Sequence, residues 1–266
     1  MTQADGPDPT DPDVAERLRG ILTELMLIPG LSGDEGRVAA AIRRMLQAAG
    51  LLVETDVFGN LWTTIEGDPD RPSVMIFAHM DQLGFVVRKV EETGFLRLER
   101  VGGVPERALA AQAVTVCART GDLPGVIANK SHHATQADEK YHVVRYRDIY
   151  VDAGFTSAAD ARSAGVDIGT PVVYAPRVMS LGPTRVAGTS VDDRAGCAVL
   201  VDVARDVVRR YVAGGADPQN RPTLHVAFTT QEEFNLRGAL PLANRLQPAI
   251  AIQIDLMLAS DTPDAE

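Results

Sequence analysis

Two adjacent glutamates, Glu232 and Glu233, follow an apolar run at residues 224–228 and precede a stretch, 237–246, whose composition suits a helix. Neighbouring carboxylates repel and are costly to bury, so such a pair needs solvent or a cation. Three other places carry matching chemistry. His79-Met80-Asp81 follows the apolar residues 74–78, Asp192-Asp193-Arg194 opens a helical pattern, and Asp255 follows the apolar residues 249–254. Open α/β sheets place their ligands beyond the carboxyl ends of the strands. One imidazole with several carboxylates suits Zn²⁺, Co²⁺ or Mn²⁺, ions that accept both nitrogen and hard oxygen. In His-x-Asp on extended backbone the two side chains share a side, so Asp81 is placed to take the second ring N–H of His79. Two ions bridged by one carboxylate would sit ~3.5–4 Å apart with a hydroxide between them. A nearby carboxylate outside the ligand set would then serve as general base.

Taken singly, each residue has a plainer reading. A lone His after a strand is usually a satisfied core or edge residue. Asp192 suits a helix N-cap, Asp255 the start of a turn, and Glu-Glu a solvated turn. His132-His133 reads as loop, His225 as core, and Cys197 as packing on an apolar helix face. The recurrence of acids and one imidazole at several strand ends of one α/β pattern favours the metal reading.

The elements that must position these groups are legible as periodicities. Residues 14–27 read as a first helix. Ser32-Gly33-Asp34-Glu35 has the form of a capping box, and the helix after it gathers Val38, Ala41, Ile42, Met45 and Leu46 on one face. Residues 51–57 and 61–65 read as strands flanking the turn signal Gly59-Asn60, and 74–78 as a strand at the centre of a covered sheet. From 84 to about 177 the texture changes to short alternating runs punctuated by Gly, Pro and Asp, which predicts a β-rich barrel or sandwich. Helical spacing returns near Asp192, followed by a strand over 223–228, the 237–246 helix and a strand over 249–254. The expected organisation is a disordered tail over 1–12, an α/β catalytic domain formed by 13–82 and 178–266, and an inserted β-rich domain over 83–177.

Composition narrows the classes. The chain has 266 residues, 45% apolar and 23% charged, as an ordinary globular protein does. A net charge of −10 argues against nucleic acid or an anionic membrane as the main partner. No apolar run reaches the ~18 residues of a membrane span. Cys117 and Cys197 are far apart and lack metal or redox spacing, which fits a reducing cytoplasm. The acidic, proline-rich start is the opposite of a signal peptide.

The joint motifs resemble the tetrahedral aminopeptidases, the glutamyl and deblocking aminopeptidase family of co-catalytic metallopeptidases. The matching strings are Ala78-His79-Met80-Asp81-Gln82-Leu83-Gly84-Phe85, Arg100-Val101-Gly102-Gly103, Val191-Asp192-Asp193-Arg194-Ala195-Gly196, Gln231-Glu232-Glu233 with Leu236-Arg237-Gly238-Ala239, and Ile254-Asp255 with Asp261-Thr262-Pro263. The resemblance implies a three-layer α/β/α metallopeptidase domain interrupted by an inserted β-rich dimerisation domain. It implies two divalent ions per subunit, with His79 and Asp255 on one, Glu233 on the other, and Asp192 bridging. Glu232 would be the general base and Asp81 would orient His79. It further implies N-terminal cleavage of short peptides, and dimers assembled into a hollow dodecamer.

Departures from the family pattern are Gln82, where Glu is usual, and Phe234-Asn235, where Val-Gly is usual. The family also continues past the position of Asp255 and takes its last ligand, a His, from that segment. For a chain ending at Glu266, the expectation is therefore one tight ion at His79, Asp192 and Asp255 rather than two. The rival expectations are an inactive truncated homologue serving as an assembly subunit, and a related metallo-carboxypeptidase or deacylase.

Overall fold

The computed structural model describes residues 12–212, 220–260 and 262–263. The tail expected over 1–12 lies outside the described residues except for Pro12, which is the first residue of α1 (Pro12–Met26). That place suits proline, whose missing N–H has no helical partner there anyway. The helix α2 (Gly36–Gln47) buries Val38, Ala41, Ile42, Met45 and Leu46, the face read from its spacing.

Three strands follow: β1 (Glu54–Thr55), β2 (Leu61–Ile65) and β3 (Val74–His79). The first is shorter than the expected 51–57 strand. Asp56 Oδ1 accepts from the amides of Phe58 and Asn60, and this local turn ends the strand early.

The chain then closes a six-stranded barrel in the order β4-β5-β8-β7-β6-β9. Its strands are β4 (Gly84–Val90), β5 (Leu96–Val101), β6 (Ala113–Ala118), β7 (Gly121–Ala128), β8 (Tyr150–Asp152) and β9 (Pro171–Tyr174). A short helix, α3 (Ala158–Ser163), precedes β9. Phe85, Leu96, Leu98, Val116, Ile127, Val151 and Val172 fill the interior. Closure leaves no free strand edge, which is how a small β unit avoids exposing unpaired backbone.

A hairpin of β10 (Val178–Leu181) and β11 (Arg185–Gly188) leads back to α4 (Val191–Val207). The strand β12 (Leu224–Thr229), the helix α5 (Ala239–Leu246) and the strand β13 (Ile250–Gln253) complete the described elements. The helix expected over 237–246 begins only at Ala239. A Cβ at Gly238 would lie 2.4 Å from Asn60 Oδ1 and from the Thr230 carbonyl oxygen, so this glycine serves a tight loop closure instead.

The main sheet runs β1-β2-β12-β3-β13, with β12 and β13 each parallel to β3 and with β2 antiparallel to β12. Leu61, Ala78, Val226 and Phe228 join residues of α1, α2 and α4 in the larger core. On the opposite face Trp62, Met75 and Ala227 pack with Leu242 of α5. The fold is therefore a three-layer α/β/α unit with a barrel inserted after β3. The edge strand β13 is exposed along its length. No helix among the described residues is long and apolar enough to cross a membrane.

Candidate metal centre

Parallel register levels the strand ends. Thr229 of β12 stands beside His79 of β3, so the segments leaving both strands emerge on one rim. Asp192 arrives from the start of α4, where it and Asp193 depart from helical backbone (φ −78°, ψ 113° and φ −114°, ψ 42°). Asp193 Oδ1 accepts from Gly196 N at 2.9 Å, three residues on, so Asp193 rather than Asp192 caps the regular helix. A Cβ at Gly196 would fall 2.5 Å from that oxygen, so only glycine lets the cap close this tightly. Asp192 is thereby free to face His79.

The decisive geometry is at the imidazole. His79 is 1% exposed, and its Nδ1 lies 3.1 Å from the Asp81 carbonyl oxygen. A carbonyl only accepts, so Nδ1 carries the proton. In a neutral ring Nε2 is then a lone pair, yet it faces Asp192 Oδ1 at 3.1 Å and Glu232 Oε2 at 3.7 Å. Either a proton on Nε2 or a bound cation must lie in that contact. Burial works against protonating His79, but the Asp192 and Asp81 carboxylates outweigh it and lift its pKa to about 11. A divalent ion would use the same field. His79, Asp192 and Asp255 each offer one donor atom, all within 4.8 Å of one another. One imidazole nitrogen and two carboxylate oxygens are a donor set that fits Zn²⁺ or a similar borderline ion.

Glu233 lines the same cavity as Asp192. Burial pushes its pKa to about 7, with the Asp192 and Glu232 charges adding to the rise. Burial also raises Glu232. The sequence pairs the Asp81 carboxylate with the His79 ring, and in the structure that carboxylate also holds the backbone of the Glu232-Glu233 loop. That carboxylate is 3.4 Å from Nδ1, while its two oxygens accept from Glu232 N at 2.9 Å and Glu233 N at 3.0 Å. Two directed backbone bonds hold it, and both the Asp81 carbonyl, at 3.1 Å, and its carboxylate face the ring N–H.

The sequence also misses most of what holds the Glu232-Glu233 loop. The capping-box reading fails: α2 starts at Gly36, and buried Glu35 instead uses Oε1 to accept from Gly33 N at 2.7 Å and Gln231 N at 3.0 Å. Asn60, with no exposed surface, accepts from Thr230 N at 2.9 Å and donates to the Gly238 carbonyl at 3.0 Å, tying both ends of the loop. Gln231 and Asn235 sit at φ 55° and 68°, the left-handed region that Asn tolerates better than most residues. Cys197 is buried packing, as its spacing indicates, and its thiol also donates to the His79 carbonyl at 3.1 Å. His225 is core, paired with Thr64 Oγ1 at 3.0 Å. His132 and His133 lie in a 3₁₀ turn of the barrel segment, away from this centre.

Beneath the loop, Arg194 is fully buried among the charges of Asp81, Glu35 and Asp193. Its Nη2 reaches Gln82 Oε1 at 3.5 Å. Gly102, at φ 85°, lies where a Cβ would come 2.9 Å from Leu83 Cβ and 3.3 Å from Glu233 Cβ. Gly102→Ala is therefore expected to cost about 1–3 kcal/mol of stability by adding backbone strain and to displace Glu233. A denaturation midpoint within error of the parent would show that this contact is slack.

The sequence profile of the M42 glutamyl aminopeptidases matches residues 59–266. The chain belongs to this family. SgcX of Escherichia coli strain K12, assigned as an aminopeptidase, is 35% identical over 244 residues, which are 91% of this chain and 63% of that protein. A TET aminopeptidase from a marine-sediment thaumarchaeon superposes with a TM-score of 0.86 at 30% identity, covering 95% of this M42 chain and 68% of the relative. The TET1 peptidase of Pyrococcus horikoshii, described as assembling into a tetrahedron or a large octahedral shell, superposes at 0.81 and 28% identity, covering 94% and 72%. The chain thus spans 63–72% of the length of these relatives, and less than two thirds of SgcX.

Proposed function

We propose that this chain carries the catalytic centre of a metal-dependent aminopeptidase acting on short peptides. The observation that carries the reading is the convergence of one donor atom each from His79, Asp192 and Asp255, all within 4.8 Å of one another. Family membership supplies the reaction class. His79, Asp192 and Asp255 would hold a divalent ion such as Zn²⁺, Co²⁺ or Mn²⁺, and Glu233 with Asp192 would offer carboxylates for a second. When bound, such ions polarise a peptide carbonyl and acidify water.

The remaining work falls to side chains. Glu232, half-buried and with its pKa raised, accepts a proton from the attacking water and returns it to the leaving amine. Asp81 fixes where Glu232 and Glu233 stand by holding their amides. The acidic rim draws in the substrate's terminal ammonium.

The reading extends to organisation. Residues 13–82 with 178–266 form the catalytic unit, and 83–177 an inserted unit that mediates self-association. Exposed Tyr141, Val143 and Val144 in that segment support it, as do the shells formed by the Pyrococcus horikoshii relative. A cytoplasmic setting fits two free cysteines.

The test is elemental analysis joined to peptide assays. We expect at least one tightly held ion per subunit and release of N-terminal residues from free but not N-acetylated peptides. No bound ion would sink the metal centre. Cleavage of blocked substrates alone would make the chain a deacylase or carboxypeptidase instead.

A further inference from the structure

A cavity of about 740 Å³ opens beside the centre, between the barrel and the start of α4. Asp192 and Glu233 form part of its wall, and apart from them Arg177 is the one charged residue of the lining among the described residues. The root of Arg177 is fixed. Its amide donates to Thr189 Oγ1 at 3.0 Å and its carbonyl accepts from Thr189 N at 3.0 Å, three residues before Asp192. Its guanidinium makes no ion pair or hydrogen bond with the described residues, although the chain holds 36 acids against 26 bases. On the same wall the Tyr174 hydroxyl is buried without a partner.

We propose that this cavity is a carboxylate subsite for the substrate, with Arg177 as its specificity-determining residue. The inference rests on the aminopeptidase reading and deepens it. A peptide whose ammonium lies at the acidic rim extends away from it at roughly 3.3–3.6 Å per residue. A carboxylate carried into the cavity would otherwise meet Asp192 and Glu233, which repel it. The planar guanidinium fork reverses that repulsion and pairs with a carboxylate in two parallel hydrogen bonds. Two parts of a peptide could bring the carboxylate: the free C-terminus of a very short substrate, or an acidic side chain. The C-terminus is the source the cavity favours, because the leaving part of the peptide must pass beyond the reacting bond.

The probes are hydrolysis-resistant dipeptides in which a methyleneamino link replaces the scissile amide. Their binding is measured calorimetrically on the zinc-loaded chain, so the outcome does not depend on turnover. Leucyl-alanine isostere as free acid should bind about ten- to hundredfold more tightly than its C-terminal amide. Arg177→Ala should erase that difference, and Arg177→Lys should keep part of it. A second pair, with N-terminal Glu or Gln and an amidated C-terminus, tests the side-chain source. If Arg177→Ala erases the Glu–Gln difference instead, the subsite stands and its carboxylate comes from the first residue. A preference that survives Arg177→Ala in both pairs, no preference in either, or no binding of any probe overturns the proposal. Probe binding with Arg177-dependent preference, in a chain that releases no N-terminal residue, would sink the aminopeptidase reading and leave the carboxylate subsite.

Discussion

Glu232→Gln is expected to keep its metal and lose about a hundred- to ten-thousandfold in turnover, whereas Asp192→Asn loses the metal as well. The two acids stand on the same imidazole but at different reach, 3.1 Å for Asp192 and 3.7 Å for Glu232 from His79 Nε2. The nearer oxygen belongs to a ligand set that also includes Asp255. Neutralising Asp192 removes charge from the first ion and from the position it shares with Glu233. Glu232 lies outside that set. Its amide analogue preserves shape and leaves the ligands alone, but an amide takes no proton from water. Metal content by elemental analysis, with initial rates on one unblocked peptide, checks both variants. If Glu232→Gln loses its metal, Glu232 is a ligand and the base must be sought elsewhere. If Asp192→Asn keeps a full complement, the bridging role passes to another carboxylate.

The parts of this centre that were legible from sequence are those with a local signature. His79, Glu232-Glu233 and Asp255 each follow an apolar run, and parallel pairing of β12 and β13 with β3 brings the ends of those runs together. The barrel announces itself because short alternating strands must each bury one face. The face of α2 is legible for the same reason. What stayed hidden are the polar groups whose partners are remote in sequence. Glu35 reads as a capping residue because Ser-x-x-Glu is a local pattern, yet its bond to Gln231 spans 196 positions. Asn60 reads as a turn residue, and it is one, but its side chain closes a loop 170 positions away. Gly102 carries no periodicity at all; its reason is the Glu233 side chain pressed against it. In each case a tertiary hydrogen bond or close approach outweighs the local preference.

The larger structural effect is expected at Asp81. It has no exposed surface, and burial alone would raise its pKa, but the His79 hydrogen bond and the amides of Glu232 and Glu233 outweigh that and lower it. Each of its oxygens serves a different amide, Oδ1 for Glu232 and Oδ2 for Glu233. In Asp81→Asn one position becomes an NH₂ group, which faces a backbone N–H as donor against donor. A buried amide left without an acceptor costs about 1–3 kcal/mol, and loss of a charged acceptor beside His79 adds to it. The total is expected near 3 kcal/mol, with metal affinity down about ten- to hundredfold because the residues behind a ligand orient it. Glu35→Gln is the control that separates charge from geometry. Glu35 serves both of its amides, Gly33 and Gln231, from the single oxygen Oε1. A glutamine keeps that acceptor, so its cost should stay at about 1 kcal/mol or less. Urea midpoints and metal titrations on the two variants decide the matter. Equal, small effects would mean that the Asp81 carboxylate is not what positions Glu232 and Glu233. A large loss in Glu35→Gln would mean that negative charge beneath the loop, close to Arg194, matters more than the hydrogen bonds it accepts.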